Sequence, residues 1–311
     1  MNTVREPTPL VLSHPLRRYF AATRPAFLSV TLVGVLLGLA SATGSGVSID
    51  PPRATVTLFL ALFVHAGANV INDYYDALSG TDAVNTDRLY PFTGGSRLIQ
   101  NHVLTAAATR RFGYALMASV IPAGIWLAAV SGSGLVLIGL AGLLVGWAYS
   151  APPFKLQSRG LGEFAITTAW LLVVVGSDFV QRGTFAFAPL ASGLAFAFLV
   201  ANVLYINQFP DCKADASCGK FTVVVRFGVG RARWGYLILA GLAYGWLAAM
   251  VFFGQLPVAA LLALLPAAAS VAAARHLWIA ADQPTRLVPA IKWTLVAVNG
   301  HGLLLSVLLL L

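Results

Sequence analysis

The chain has 311 residues, of which 58% are hydrophobic and only 10% charged, with a mean hydropathy of +0.80. Soluble domains carry roughly a quarter of their residues as charged side chains, so this composition excludes a water-dissolved fold. The surplus of 20 Lys and Arg over 11 Asp and Glu follows the loops of a membrane protein and needs no nucleic acid to explain it.

A polar segment over residues 1–26, carrying Arg5, Arg17, Arg18 and Arg24, comes first and is expected in the cytoplasm. Nine apolar stretches follow, at 27–44, 54–75, 113–130, 134–150, 163–180, 187–206, 232–254, 256–274 and 288–311. Each is long enough to cross a hydrocarbon layer of ~30 Å as a helix. The fold class expected is all-α, a polytopic transmembrane bundle of about nine helices forming one domain over 1–311. With eight more spans behind it, the first stretch reads as a retained helix and not as a cleaved signal peptide.

Loops kept in the cytoplasm are enriched in Lys and Arg. Arg88, Arg97, Arg110 and Arg111 follow the second stretch, Lys155 and Arg159 the fourth, and Lys213, Lys220, Arg226, Arg231 and Arg233 the sixth. Arg275, Arg286 and Lys292 surround the last connection, while the opposite side holds only Arg53 and Arg182. That asymmetry puts the N-terminus in the cytoplasm, in the cell membrane. Cys212 and Cys218 then face a reducing compartment and are expected as loop thiols without a disulfide.

The acidic residues carry the functional information. Asp73, Asp76, Asp82 and Asp87 gather at the cytoplasmic end of the second stretch, in NDYYDALSGTDAVNTD, and Asp211 and Asp215 at the cytoplasmic end of the sixth, in NQFPDCKAD. Asn72 and Asp76 are four apart and share a helix face, and Asn207, Asp211 and Asp215 repeat that step twice. Two N-x-x-x-D faces of amide and carboxylate oxygens, with no thiolate or paired imidazole, suit a hard cation. Mg²⁺ in particular takes a few carboxylates together with substrate phosphate oxygens. Pro210 is expected to loosen the helix just before Asp211. Lys155, Arg159, Lys220, Arg226 and Arg97 are candidate diphosphate contacts, although each alone reads equally well as an orientation charge. Gly94 and Gly95 are candidates for backbone amides approaching an anion.

These segments together resemble the UbiA superfamily of intramembrane prenyltransferases. RRYFAATRPAFLSVTLVGVLLG, NDYYDALSGTD, YSAPPFKLQSRGLGE and NQFPDCKADASCGKFTVVVRFG occur in the family's order and cover nearly the whole chain. The resemblance implies that Asn72, Asp76, Asp211 and Asp215 hold Mg²⁺ on an isoprenoid diphosphate. Lys155, Arg159, Lys220 and Arg226 would contact the diphosphate, and an aromatic acceptor would take the polyprenyl group. The NDYYD-x-x-x-G-x-D arrangement is most similar to enzymes that prenylate 1,4-dihydroxy-2-naphthoate in menaquinone biosynthesis. RLYPFTGGSR stands where hydroxybenzoate and haem-type members often carry an arginine–proline pair. Where many members have a further aspartate this chain has Gly80, and the next carboxylate is Asp82.

Tyr74, Tyr75, Tyr149 and Trp147 are candidates to shield an allylic cation, with packing at the membrane interface the commoner role for each. His65, seven residues before Asn72 and on a similar face, is a candidate acceptor contact, set against the commoner buried packing histidine. Asp178 and Glu163 have no assigned role. Alternatives stay open at this stage: another acceptor on the same fold, such as 4-hydroxybenzoate or a glycerol phosphate, a terpene cyclase on that fold, and a cation-coupled transporter, in which such carboxylates lie nearer the membrane midplane.

Overall fold

The computed structural model describes residues 6–311, so Arg5 lies outside the described residues. Among them it contains α1 (Pro15–Ala22), α2 (Ser29–Gly44), α3 (Pro51–Ser79), α4 (Thr81–Val84), α5 (Ala106–Ser131), α6 (Gly134–Ala148), α7 (Gly162–Arg182), α8 (Ala188–Ser217), α9 (Val223–Phe252), α10 (Ala267–Ala280) and α11 (Val288–Leu308). Eight segments are long and apolar enough to cross a membrane; the fourth predicted stretch is the 15-residue α6, shorter than those. The protein is an integral membrane protein with no strand among the described residues.

The two helices with acidic motifs outrun their apolar stretches. α3 starts at Asp50, whose side chain accepts the Arg53 amide at 3.0 Å, with Pro51 and Pro52 in the first turn, and stops at Gly80, whose φ of 81° suits glycine. α8 continues as regular helix through Pro210 to Ser217. Pro210 therefore does not interrupt the helix before Asp211. The proline is buried, and its missing N–H removes one helical bond without ending the helix. Cys212 consequently lies within α8 and not in a loop, with Cys218 just beyond its end; both are free thiols. The bends fall elsewhere, at Gly228 inside α9 and between the 3₁₀ turn Val258–Leu264 and α10.

α8 is the central helix, packed against α7, α9, α11 and α2. Its Phe196, Leu199 and Val200 join Leu37, Val174, Leu247 and Leu305 in the main core. Small residues permit this closeness: a Cβ at Gly38 would lie 2.4 Å from the Val174 carbonyl oxygen, and one at Gly302 would lie 2.3 Å from Val33. His301, fully buried, donates through Nδ1 to the Ala263 carbonyl at 2.8 Å beside the break before α10. That satisfies a backbone group the interrupted helix leaves open.

Candidate functional site

Helical spacing brings the two N-x-x-x-D faces to one place. Asn72 and Asp76 from α3 and Asn207, Asp211 and Asp215 from α8 all border a single cavity of about 510 Å³. Asn72 donates to Asp76 Oδ2 at 3.0 Å and to Ser150 at 3.1 Å, and Gln157 reaches Asp76 Oδ1 at 3.4 Å. Lys220 enters between the faces. Its Nζ lies 3.0 and 3.2 Å from the Asp76 oxygens and 3.5 Å from Asp215 Oδ1. Burial alone would favour the neutral amine, but Asp76 and Asp215 outweigh it and hold the Lys220 ammonium above the ordinary lysine range. Asn85 donates to Asp211 Oδ1 at 2.6 Å.

Several oxygens remain unused. Asn207 Oδ1 and Asn85 Oδ1 are buried without a hydrogen bond, and Asp215 Oδ1 has only the 3.5 Å ion pair with Lys220, a state that costs free energy unless a ligand or cation completes them. No three His, Cys, Asp or Glu side chains converge on one point among the described residues, and the Lys220 ammonium occupies the space between the carboxylates. An all-oxygen donor set with orphaned oxygens facing a cavity fits Mg²⁺ whose remaining ligands come from a phosphate group.

Beyond this acidic end the cavity is walled by apolar residues of α2, α5, α6 and α7, and it meets the outer face at Ile121, Ile125 and Leu140, all exposed. An elongated hydrocarbon chain would find apolar contact along it.

The other predicted cations are not gathered here. Lys155 is exposed, Arg159 donates to the Pro153 carbonyl at 2.8 Å, and Arg226 donates to the carbonyls of Phe221 and Arg159 at 2.9 and 3.1 Å. None of the three borders the cavity. Arg97 is buried behind it, donating to the Asp82 carbonyl and lying 3.7 Å from Glu6. Gly94 and Gly95 do line the cavity with positive φ, but a Cβ at Gly95 would sit 2.4 Å from Asp82 Oδ2 and 3.1 Å from Asp73 Oδ1. Glycine here admits carboxylates of the protein itself, and the Ser96 amide is taken by Asp73.

Asp82 borders the cavity from α4, brought round by the Gly80 turn. Burial, with Asp76 and Asp73 adding like charge, holds its carboxyl well above the usual carboxylate range. Of the four aromatic candidates only Tyr149 lines the cavity; Tyr75 pairs with Tyr114 at 3.0 Å, and Trp147 donates to the same hydroxyl at 3.2 Å. Asp178 forms a two-pronged ion pair with Arg182 at 2.7 Å, and Glu163 accepts from Gln208.

Sequence reasoning missed Arg24 as a site residue. Its left-handed backbone, φ 55°, turns the side chain into the cavity, where Nη2 reaches the Phe92 carbonyl at 3.1 Å and Nε is buried without a partner. The only signal was its place directly before Pro25, and an orientation charge looks the same. Asn85 and Gln157 carried no spacing signal.

The model of the UbiA prenyltransferase family matches residues 29–296. The chain belongs to that family. As a prenyltransferase it is 26% identical to the 1,4-dihydroxy-2-naphthoate octaprenyltransferase of Bacillus subtilis, over 93% of this chain and 90% of that one. It is 31% identical to the Mycobacterium tuberculosis enzyme of the same name, over 72% and 75%. Its fold matches a UbiA homolog from Archaeoglobus fulgidus bound to DMAPP and Mg²⁺, with TM-score 0.61 and 20% identity over 94% of this chain and 100% of the other. A digeranylgeranylglyceryl phosphate synthase structure gives TM-score 0.64 at 17% identity over 95% and 98%. Family membership sets the transporter reading aside.

Proposed function

We propose that this prenyltransferase moves a polyprenyl group from an isoprenoid diphosphate to 1,4-dihydroxy-2-naphthoate, with Mg²⁺ as cofactor, at a site opening to the cytoplasm of the cell. The observation that carries the reaction is the meeting of the two N-x-x-x-D faces at the polar end of an otherwise apolar cavity. Relatives named for the naphthoate transfer, aligned over most of their length, support the acceptor.

Asn72, Asp76, Asn207, Asp211 and Asp215 would hold the cation with the diphosphate. Bound there, Mg²⁺ supplies positive charge that stabilises the departing diphosphate. Lys220 holds a fixed ammonium at the same end, with Asp76 and Asp215 orienting it, and Arg24, also bordering the cavity, presents a guanidinium with an unpaired Nε. Both are set in place before charge develops, which is where electrostatic stabilisation is most effective. The apolar walls exclude water from the ionising C–O bond and favour capture by an aromatic carbon. Lys155, Arg159 and Arg226, predicted to touch the diphosphate, would need to leave their backbone carbonyls or swing inward to do so.

Purified protein incubated with labelled polyprenyl diphosphate and Mg²⁺ is expected to prenylate 1,4-dihydroxy-2-naphthoate in preference to 4-hydroxybenzoate, and to stop in excess chelator. Transfer to 4-hydroxybenzoate alone would overturn the acceptor, and full turnover in chelator would overturn the cofactor.

A further inference from the structure

His65 borders the same cavity from α3, two helical turns from Asn72 and so about 10 Å toward its apolar end. Its Nδ1 is 2.7 Å from Thr31 Oγ1 on α2, and Trp170 on α7 meets its ring edge to face, at 4.9 Å between centroids and 85° between planes. Three helices thus fix one imidazole plane.

The Thr31 hydroxyl is used unusually for this molecule. Thr43, Thr57, Ser177 and Ser306 all turn their hydroxyls back to the carbonyl four residues earlier, within their own helix. Thr31 forgoes that local bond for His65. Since its hydroxyl has no other acceptor among the described residues, the arrangement that satisfies it is donation to Nδ1, which leaves the proton of the neutral ring on Nε2. Nε2 has no partner among the described residues, and unlike the Nε2 of His301 it is not sealed within the protein. His301 is the packing histidine of the fold; His65 is oriented and faces a cavity.

We infer that His65 is a substrate-contacting residue that binds the aromatic acceptor, its Nε2–H donating to an oxygen substituent on the acceptor ring, with Thr31 fixing the tautomer and Trp170 the ring plane. The inference rests on the proposed function. The polar end of the cavity belongs to the diphosphate, and an acceptor with oxygen substituents needs a donor farther along an apolar wall. An unmet oxygen there would be desolvated without compensation. The ring would then be held beside the prenyl carbon that departs from the diphosphate.

The test uses the full chain in lipid nanodiscs. For wild type, His65→Phe, His65→Gln and Thr31→Val, the KM for 1,4-dihydroxy-2-naphthoate and for the polyprenyl diphosphate are measured separately. Binding of the naphthoate alone is followed by tryptophan fluorescence. His65→Phe is expected to raise the acceptor KM about tenfold or more and weaken naphthoate binding in parallel, with the diphosphate KM within about twofold. His65→Gln keeps an N–H donor and should recover most of the loss, and Thr31→Val should fall between. An unchanged acceptor KM in His65→Phe, or a rise in both KM values together, overturns the inference while leaving the prenyl transfer standing. A wild-type chain that neither binds nor prenylates the naphthoate removes both.

Discussion

Lys220 and Asp178 illustrate two ways a buried charge is kept in this protein. Asp178 is matched by one arginine in a closed pair with both oxygens used, and such a pair serves the fold. Lys220 is shared by carboxylates from two helices, and Asn207 Oδ1 and Asn85 Oδ1 beside the same cavity are buried without a hydrogen bond. Oxygens left open in this way are what a bound cation or phosphate would complete on the proposed function. The two kinds of site predict different consequences. Asp76→Asn or Asp211→Asn should each lower prenyl transfer about 10²-fold or more, because each removes a charge from the group that would hold the departing diphosphate. The double variant should add little, since residues acting as a unit are not additive. Asp178→Asn should instead lower the melting temperature while leaving activity per folded molecule within about threefold. Steady-state rates and thermal melts on the four variants separate the two; near-normal activity in either single variant at the paired faces would remove them from the chemistry.

At the scale of elements, the segment before α1 and the loop from Asn85 to Leu104 act together. Glu6 accepts from Arg88 Nε at 2.7 Å, lies 3.7 Å from Arg97, and accepts from Asn101 at 3.3 Å, while Asn101 also donates to the Pro7 carbonyl. Arg88 in turn holds the Asn85 carbonyl at 2.6 Å, and Asn85 donates to Asp211. One carboxylate thus braces the loop that lines the cavity from behind. Burial pushes the Glu6 carboxyl up, but the bonds from Arg88 and Asn101 outweigh it and leave it below the usual carboxylate value. A depressed folded value means the stabilisation is present at neutral pH and is lost as pH falls through that value. Glu6→Gln should therefore melt below wild type at pH 7, with the gap closing as pH falls through the lowered Glu6 value; a pH-independent gap would show that the charge is not what braces the loop.

The acidic helices were legible because i, i+4 spacing keeps its meaning inside any regular helix, and both α3 and α8 stay regular past the motif. The cations were not. Lys155, Arg159 and Lys220 have the same character in the sequence, and only the backbone decides which enters. After α8 the chain turns at Gly219, φ 71°, and the Lys220 amide bonds to the Asp215 carbonyl at 2.9 Å, which folds that lysine back over the site. Arg24 enters through a left-handed residue that no charge count reveals.

For the molecule as a whole, the cavity would join two solvents: on the proposed function its acidic end takes a phosphate group from water, while its apolar end reaches the outer face at Ile121, Ile125 and Leu140. This gives the orientation a chemical consequence, because a water-soluble acceptor and diphosphate head must arrive from the side where Lys220 and the loop after α6 lie. The excess of Lys and Arg on those loops argues that this side is the cytoplasm. Lys155 reports on it, being exposed beside the site and outside the cavity, and Arg53, at the start of α3, reports on the opposite end. With Cys212 and Cys218 replaced by serine, Lys155→Cys in sealed cells should resist a membrane-impermeant maleimide until the membrane is opened. Arg53→Cys should react at once. Both substitutions leave the acidic faces untouched, so activity can be checked in the same cells. Labelling of Lys155→Cys from outside intact cells would reverse the orientation and place the diphosphate site on the far side of the membrane from the cytoplasm.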